Sequence, residues 1–178
     1  MQMLNRYFVP FALILILSAL WFNVENPTDW RHWDPSYKQA LAILAVSMLV
    51  NWYLSSHTYR YIHWAKQMKI LQVWLYYVWA VPLFWLLQPF WGPMWLLFVM
   101  APVTAALFTN RWHTIASAAV SAATMLLIYY KRGLFHEGIG PAEGMACVHA
   151  SFIIVFALFV YGLEQTALRL RDAALGRL

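Results

Sequence analysis

The 178-residue chain is 63% hydrophobic, 18% aromatic and 11% charged, with a formal net charge of +5 and a mean hydropathy of +0.58. Soluble domains are about half apolar and about a quarter charged, so this composition excludes that class and reads as an integral membrane protein. In lipid the backbone must satisfy itself, which leaves helices or a closed barrel; the solidly apolar runs lack the alternation of barrel strands, so the predicted fold is all-α.

A window of about 19 residues predicts a polytopic bundle of six transmembrane helices, at 6–23, 38–55, 70–88, 92–108, 114–130 and 146–163. Residues 1–163 then form the membrane domain and 164–178 a short basic helical tail. Arg6 ahead of the apolar run Tyr7 to Phe22 has the look of a signal peptide. The run closes on "LSALWFNV", whose bulky residues make no small-residue cleavage site, so the first helix is expected to be retained.

Next comes "NVENPTDWRHWDPSY", residues 23–37. Pro27 and Pro35 fix φ, and "NPTD" and "DPS" form turns, so the loop is stiff. Trp30 and Trp33 suit the headgroup level. A bare connector needs far fewer residues, and we expect an ordered cap that touches the loop around His136 and Glu137.

The third span, "ILQVWLYYVWAVPLFWLLQ", carries Trp74 and Trp85 towards its ends but Tyr76, Tyr77 and Trp79 near its middle. Headgroups do not reach mid-depth, yet a buried Tyr hydroxyl or Trp N–H wants a partner. Tyr76, Trp79 and Leu83 share one face, and Pro82 removes a backbone hydrogen bond, which opens space beside a helix. Such a face is either the wall of an aromatic pocket or ordinary packing between helices. The fourth span is short, since Met94 to Phe108 falls below the roughly 20 residues that cross a hydrocarbon core.

In the fifth, "IASAAVSAATM" repeats small residues at four-residue spacing: Ser117 and Ser121, Ala118 and Ala122, Ala119 and Ala123. Small faces let helices approach closely, within the bundle or against a partner protein. The loop "KRGLFHEGIGPAEG", Lys131 to Gly144, holds four glycines and a proline and should be mobile. After the sixth span, Leu163, Ala167, Leu170 and Ala174 continue one apolar stripe beside Arg169, Arg171 and Arg177. That pattern fits a helix carrying a signal to a protein partner, or a basic tail lying on anionic lipid.

Orientation follows from the basic residues. Arg6, Arg60, Lys66, Lys69, Arg111, Arg169, Arg171 and Arg177 fall on one side, against Arg31, Lys38, Lys131 and Arg132 on the other. Eight against four predicts both termini inside, in the inner (cytoplasmic) membrane of a bacterium. No nucleic-acid partner is expected.

The spans hold essentially no ionisable residue away from their ends, which argues against a proton pump, a charge-driven transporter or a voltage sensor. Asn51, Gln72, Thr104, Ser117, Ser121 and Thr124 remain as buried polar groups, and an uncharged, apolar small ligand suits them. The candidate ligand-binding residues are Tyr76, Tyr77, Trp79 and Thr104, with Trp30 and His149 at the outer end. Asp29, His32, Asp34, His136, Glu137 and Glu143 supply the ligand types of zinc or another divalent metal, with His32, His136 and Glu137 as the first candidates. No HExxH-type spacing accompanies them. Haem would need paired histidines; all six lie near span ends, and a shallow pair such as His63 with His113 is the arrangement left for it. Neither cofactor is the expectation. Without GxSxG, Walker A or HExxH, and with Cys147 in no cysteine motif, no enzyme is expected.

The stretch "YIHWAKQMKILQVWLYYVWAVPLFW", the short fourth span, the turn "TNRWHTIASAAVSAATMLLIYY" and the exit helix resemble the six-helix membrane half of quorum-sensing histidine kinases that detect α-hydroxyketones. The likeness covers most of the chain in outline and rests on aromatic-proline texture and loop spacing. It implies a sensor that binds a small ligand and relays through its C-terminal helix. Such kinases continue into a phospho-acceptor histidine region and an ATP-binding domain, which these residues lack, so the chain is expected to bind or relay without phosphorylating. A structural or assembly subunit of a larger membrane complex is the competing expectation.

Overall fold

Each apolar segment becomes a helix. The computed structural model describes residues 2–23, 31, 33–57, 65–87, 92–133 and 141–175. It is all-α, with α1 (Gln2–Asn23), α2 (Pro35–His57), α3 (Ala65–Leu87), α4 (Leu97–Phe108), α5 (Arg111–Lys131) and α6 (Pro141–Leu175). A 3-10 turn, Gly92–Leu96, leads into α4. The short fourth segment is thus divided, with Gly92 and Pro93 in the tighter turn and 12 residues in regular α-helix.

Two helices, Arg111–Lys131 and Ala142–Leu175, are long and apolar enough to cross a membrane. The apolar stretches Pro10–Phe22, Pro35–Val50, Val73–Leu87 and Gly92–Phe108 are shorter. The 35 residues of α6 extend about 52 Å at 1.5 Å per residue, well beyond a hydrocarbon core of about 30 Å.

The chain divides into two compact units, Met1–Leu97 and Phe98–Leu178. In the first, α2 packs against both α1 and α3. Helical spacing sets the faces: α1 buries Ala12, Leu15, Ile16, Ala19 and Leu20, and α2 buries Tyr37, Ala40, Leu44 and Ser47. On α3 the row is Val73, Tyr76, Ala80, Leu83 and Leu87, with Tyr77 and Phe84 beside it.

In the second unit α5 packs along α6. Here α5 buries a run of small residues, Thr114, Ser117, Ala118, Ser121 and Ala122, and then the larger Met125, Ile128 and Tyr129, while α6 buries Ala146, Ala150 and Ala157 around Ile153. Short side chains let the backbones come close, and contact area replaces side-chain volume as the source of cohesion. The small stripe of the fifth segment is therefore split. Its Ser117, Ala118, Ser121 and Ala122 are buried, while Ala119 and Ala123 are exposed.

Helix ends are closed by local chemistry. Asp34 starts α2: its carboxylate Oδ1 accepts from the Ser36 N–H at 2.8 Å, its carbonyl accepts from the Tyr37 N–H at 3.1 Å, and Pro35 fills the first helical position. These bonds to Ser36 hold the Asp34 carboxyl below its ordinary pKa. Helix α2 thereby takes Pro35, Ser36 and Tyr37, the last three residues of the predicted loop, as its first turn. Asn110 starts α5 in the same way, with Oδ1 accepting from the His113 N–H at 3.0 Å. At the other end of α5, Gly133 adopts φ 79° and its N–H donates to the Tyr130 carbonyl at 3.0 Å. Glycine suits that left-handed position because it has no Cβ to clash.

Candidate functional site

The candidate site begins on α3. Tyr76 is 1% exposed and Tyr77 8%, so the mid-helix tyrosines face protein. Tyr77 packs against Trp74 with ring centroids 5.6 Å apart, tilted by 48°. Trp79 is half-buried, with its ring turned so that Nε1 is buried and meets no hydrogen-bond acceptor among the described residues. Three residues on, Pro82 lies inside the helix. Lacking an N–H, it withdraws the donor that would close on the Val78 carbonyl.

The small hydroxyls behave differently. Ser18 donates to the Leu15 carbonyl at 2.8 Å, Ser47 to Leu44 at 2.7 Å, Thr104 to Met100 at 2.7 Å and Thr109 to Ala105 at 2.6 Å. Each is satisfied on its own helix, since a hydroxyl on Cβ reaches the carbonyl one turn back. An indole N–H sits at the far rim of a rigid ring and cannot reach back in this way. Trp79 therefore needs an acceptor from outside α3.

Of the other sequence candidates, Thr104 is fully buried on α4, with its proton engaged by Met100, so only its lone pairs remain to meet a ligand. His149, on α6, is half-buried, with Nδ1 shielded from solvent. Tyr76, Tyr77 and Trp79 belong to the first unit, Thr104 and His149 to the second. Trp30, His32, His136 and Glu137 lie outside the described residues, as do the predicted cap contact and Asp29. Among the described residues no three His, Cys, Asp or Glu side chains gather closely enough to hold a metal ion. Asp34 is engaged in capping α2. For the histidine pair, His63 lies outside the described residues, and His113 sets its Nδ1 2.6 Å from Asn110 Oδ1.

The sequence reading named His113 but not the helix cap it joins with Asn110 and Thr114, where the Thr114 hydroxyl also donates to the Asn110 carbonyl at 3.1 Å. An Asn directly before an apolar helical run is the signal that marks it. No protein family, curated protein or solved structure matches the chain. Chemically, the α3 face is an apolar aromatic surface that carries the Trp79 N–H and, from Ile70 to Leu87, no Asp, Glu, Lys, Arg or His.

Proposed function

We propose that the protein is a multi-pass protein of the inner membrane, with six spans and both termini inside, that acts as a non-enzymatic sensory or small-ligand-binding module. Its output leaves through α6. The observation that carries this reading is the character of that helix. Val148, Val155, Phe159 and Leu163 are 54–66% exposed, a surface that calls for lipid or a partner rather than water. The same unbroken helix then runs on to Leu175 with Arg169, Arg171 and Asp172 exposed. A rod that is apolar first and charged later links the bilayer to the cytoplasm.

Helix α5 supports the membrane setting. Trp112 is 75% exposed and Tyr130 60%, and their spacing along the helix is about 27 Å, close to a hydrocarbon core. Amphipathic rings at both ends of a span form the interfacial belt. The sensor reading draws on the α3 aromatic face and on the resemblance to α-hydroxyketone receptors. A structural subunit is the second reading, favoured by the exposed apolar face of α5, Ala119, Val120, Ala123 and Leu127.

Topology is tested in a Cys147→Ser background by labelling Lys131→Cys and Arg111→Cys with an impermeant maleimide. Lys131→Cys should react from outside and Arg111→Cys only after the membrane is opened; the reverse pattern defeats the orientation. For the function, a fluorophore on Ala173→Cys reports on the end of α6 in nanodiscs. A medium-chain α-hydroxyketone should change its emission saturably. A flat response, with the chain held in a stoichiometric membrane complex, favours the subunit.

A further inference from the structure

The buried Trp79 N–H restricts what the α3 face can hold. Buried polar groups in native proteins are almost always hydrogen-bonded, and an orphan one calls for a reason. Nε1 of Trp79 is buried without an acceptor among the described residues, its own helix cannot supply one, and the residue sits near the middle of the predicted third span, beyond the reach of headgroups.

Resting on the ligand-binding reading above, we propose that the ligand is an uncharged, largely apolar molecule carrying one hydrogen-bond acceptor oxygen, and that Trp79 Nε1–H donates to it. The indole N–H is a donor and never an acceptor, which selects an oxygen lone pair. With no Lys, Arg or His between Ile70 and Leu87, an anion would be desolvated without a counter-charge, a heavy penalty in this setting. Tyr76 and Leu83, one turn to either side of Trp79 at helical spacing and buried, make its face of α3 apolar. The aromatic face alone would also attract an organic cation, but a cation gives the N–H nothing to bond.

The test uses two probes of equal chain length, dipentyl ether and undecane, which differ by one acceptor oxygen in place of a methylene. The full chain is reconstituted in nanodiscs of ether-linked lipid, so that no ester carbonyl is present, with tryptophan indoles labelled with nitrogen-15. The chain has 11 tryptophans, and Trp79→Phe assigns the resonance. Dipentyl ether should move the Trp79 indole proton downfield saturably, and undecane should leave it in place. The ether should bind better than undecane by roughly three- to tenfold, the factor one neutral hydrogen bond is worth. In Trp79→Phe that ratio should fall to about one, whatever packing the smaller ring loses, since both probes lose it equally.

Equal binding of the two probes with no indole shift would overturn the acceptor inference while leaving an apolar pocket intact. Absence of saturable binding by either, with the Trp79 resonance unmoved, would remove the ligand-binding reading as well. Stronger binding of tetraethylammonium than of the ether, or an indole already shifted in ester lipid and released in ether lipid, would assign the face to a cation or to the bilayer and also overturn the proposal.

Discussion

Helix α3 buries Tyr76, Tyr77, Leu83, Phe84 and Leu87, whereas α5 buries a run of small residues, Thr114, Ser117, Ala118, Ser121 and Ala122, ahead of Met125, Ile128 and Tyr129, and α6 buries Ala146, Ala150 and Ala157 beside Ile153. The first unit gains cohesion from large rings, whose polar atoms lie far from the backbone and depend on a neighbour. The second sets its small side chains along α5 and α6, which lets the two backbones approach closely. A surface of the first kind has polar demand to offer a ligand; one of the second kind is a fixed rail. That contrast assigns reception to α3 and transmission to the α5–α6 pair within the proposed sensor.

The contrast breaks most visibly at Phe84, which is 0% exposed. Phe84→Ala leaves a cavity and should cost about 3–5 kcal/mol. Amide exchange of the reconstituted protein should show the loss of protection in α1–α3, with α5 and α6 unchanged. Equal loss in both units would mean that they fold as one cooperative body. Trp79→Ala should cost less than Phe84→Ala, because Trp79 is less completely buried.

Next in size is the seam. Ala118 is 0% exposed on α5, and Ala118→Leu forces apart helices that short side chains hold close, at about 1–3 kcal/mol. The exchange pattern should invert, with α5 and α6 losing protection first. A seam that accepts leucine without cost would refute close approach as its source of cohesion.

The sequence conveyed the helices better than the sites. Six apolar runs gave six helices because solid hydrophobicity over such lengths leaves the backbone few alternatives. The continuation of the last helix was legible in Leu163, Ala167, Leu170 and Ala174. The division of the fourth segment was less so, since Gly92 and Pro93 act on one turn while the apolar count runs past them. The α5 repeat showed that something packs closely there but not which side does, because Ala118 and Ala119 are the same residue on different faces. At Trp79 the sequence raised the question of a partner for the N–H. The direction of the ring, which answers half of it, depends on neighbours distant in sequence.

Asp34 gives a smaller effect, confined to one helix end. Asp34→Ala removes the α2 cap and should cost about 0.5–2 kcal/mol, seen as fraying of the first turn of α2 with α5–α6 unaffected. Its pH dependence has a definite sign. The folded carboxyl titrates below its ordinary value of 3.8, so its stabilising contribution is complete above that value and disappears as pH falls through the depressed one. Unfolding followed from pH 7 down to pH 3 should show the wild type converging on Asp34→Ala only at the acid end; a difference that grows with acidity would reverse the assignment.

The smallest expected change sharpens the comparison most, because it separates the two faces of one helix. Ala118 and Ala119 are neighbours, the first buried in the seam and the second exposed. Ala119→Leu adds the same side chain as Ala118→Leu but projects it away from α6, where nothing in the chain is displaced. In nanodiscs its effect on stability should stay within about 0.5 kcal/mol, the usual range for surface substitutions. In native membranes the same variant reports on partners. A close-packed protein seated on Ala119 and Ala123 would be expelled by leucine, and the mass of the complex extracted in mild detergent would fall. An unchanged mass would leave lipid as the occupant of that face and remove the main support for the structural-subunit reading, since the other small residues of the repeat are already covered within the chain.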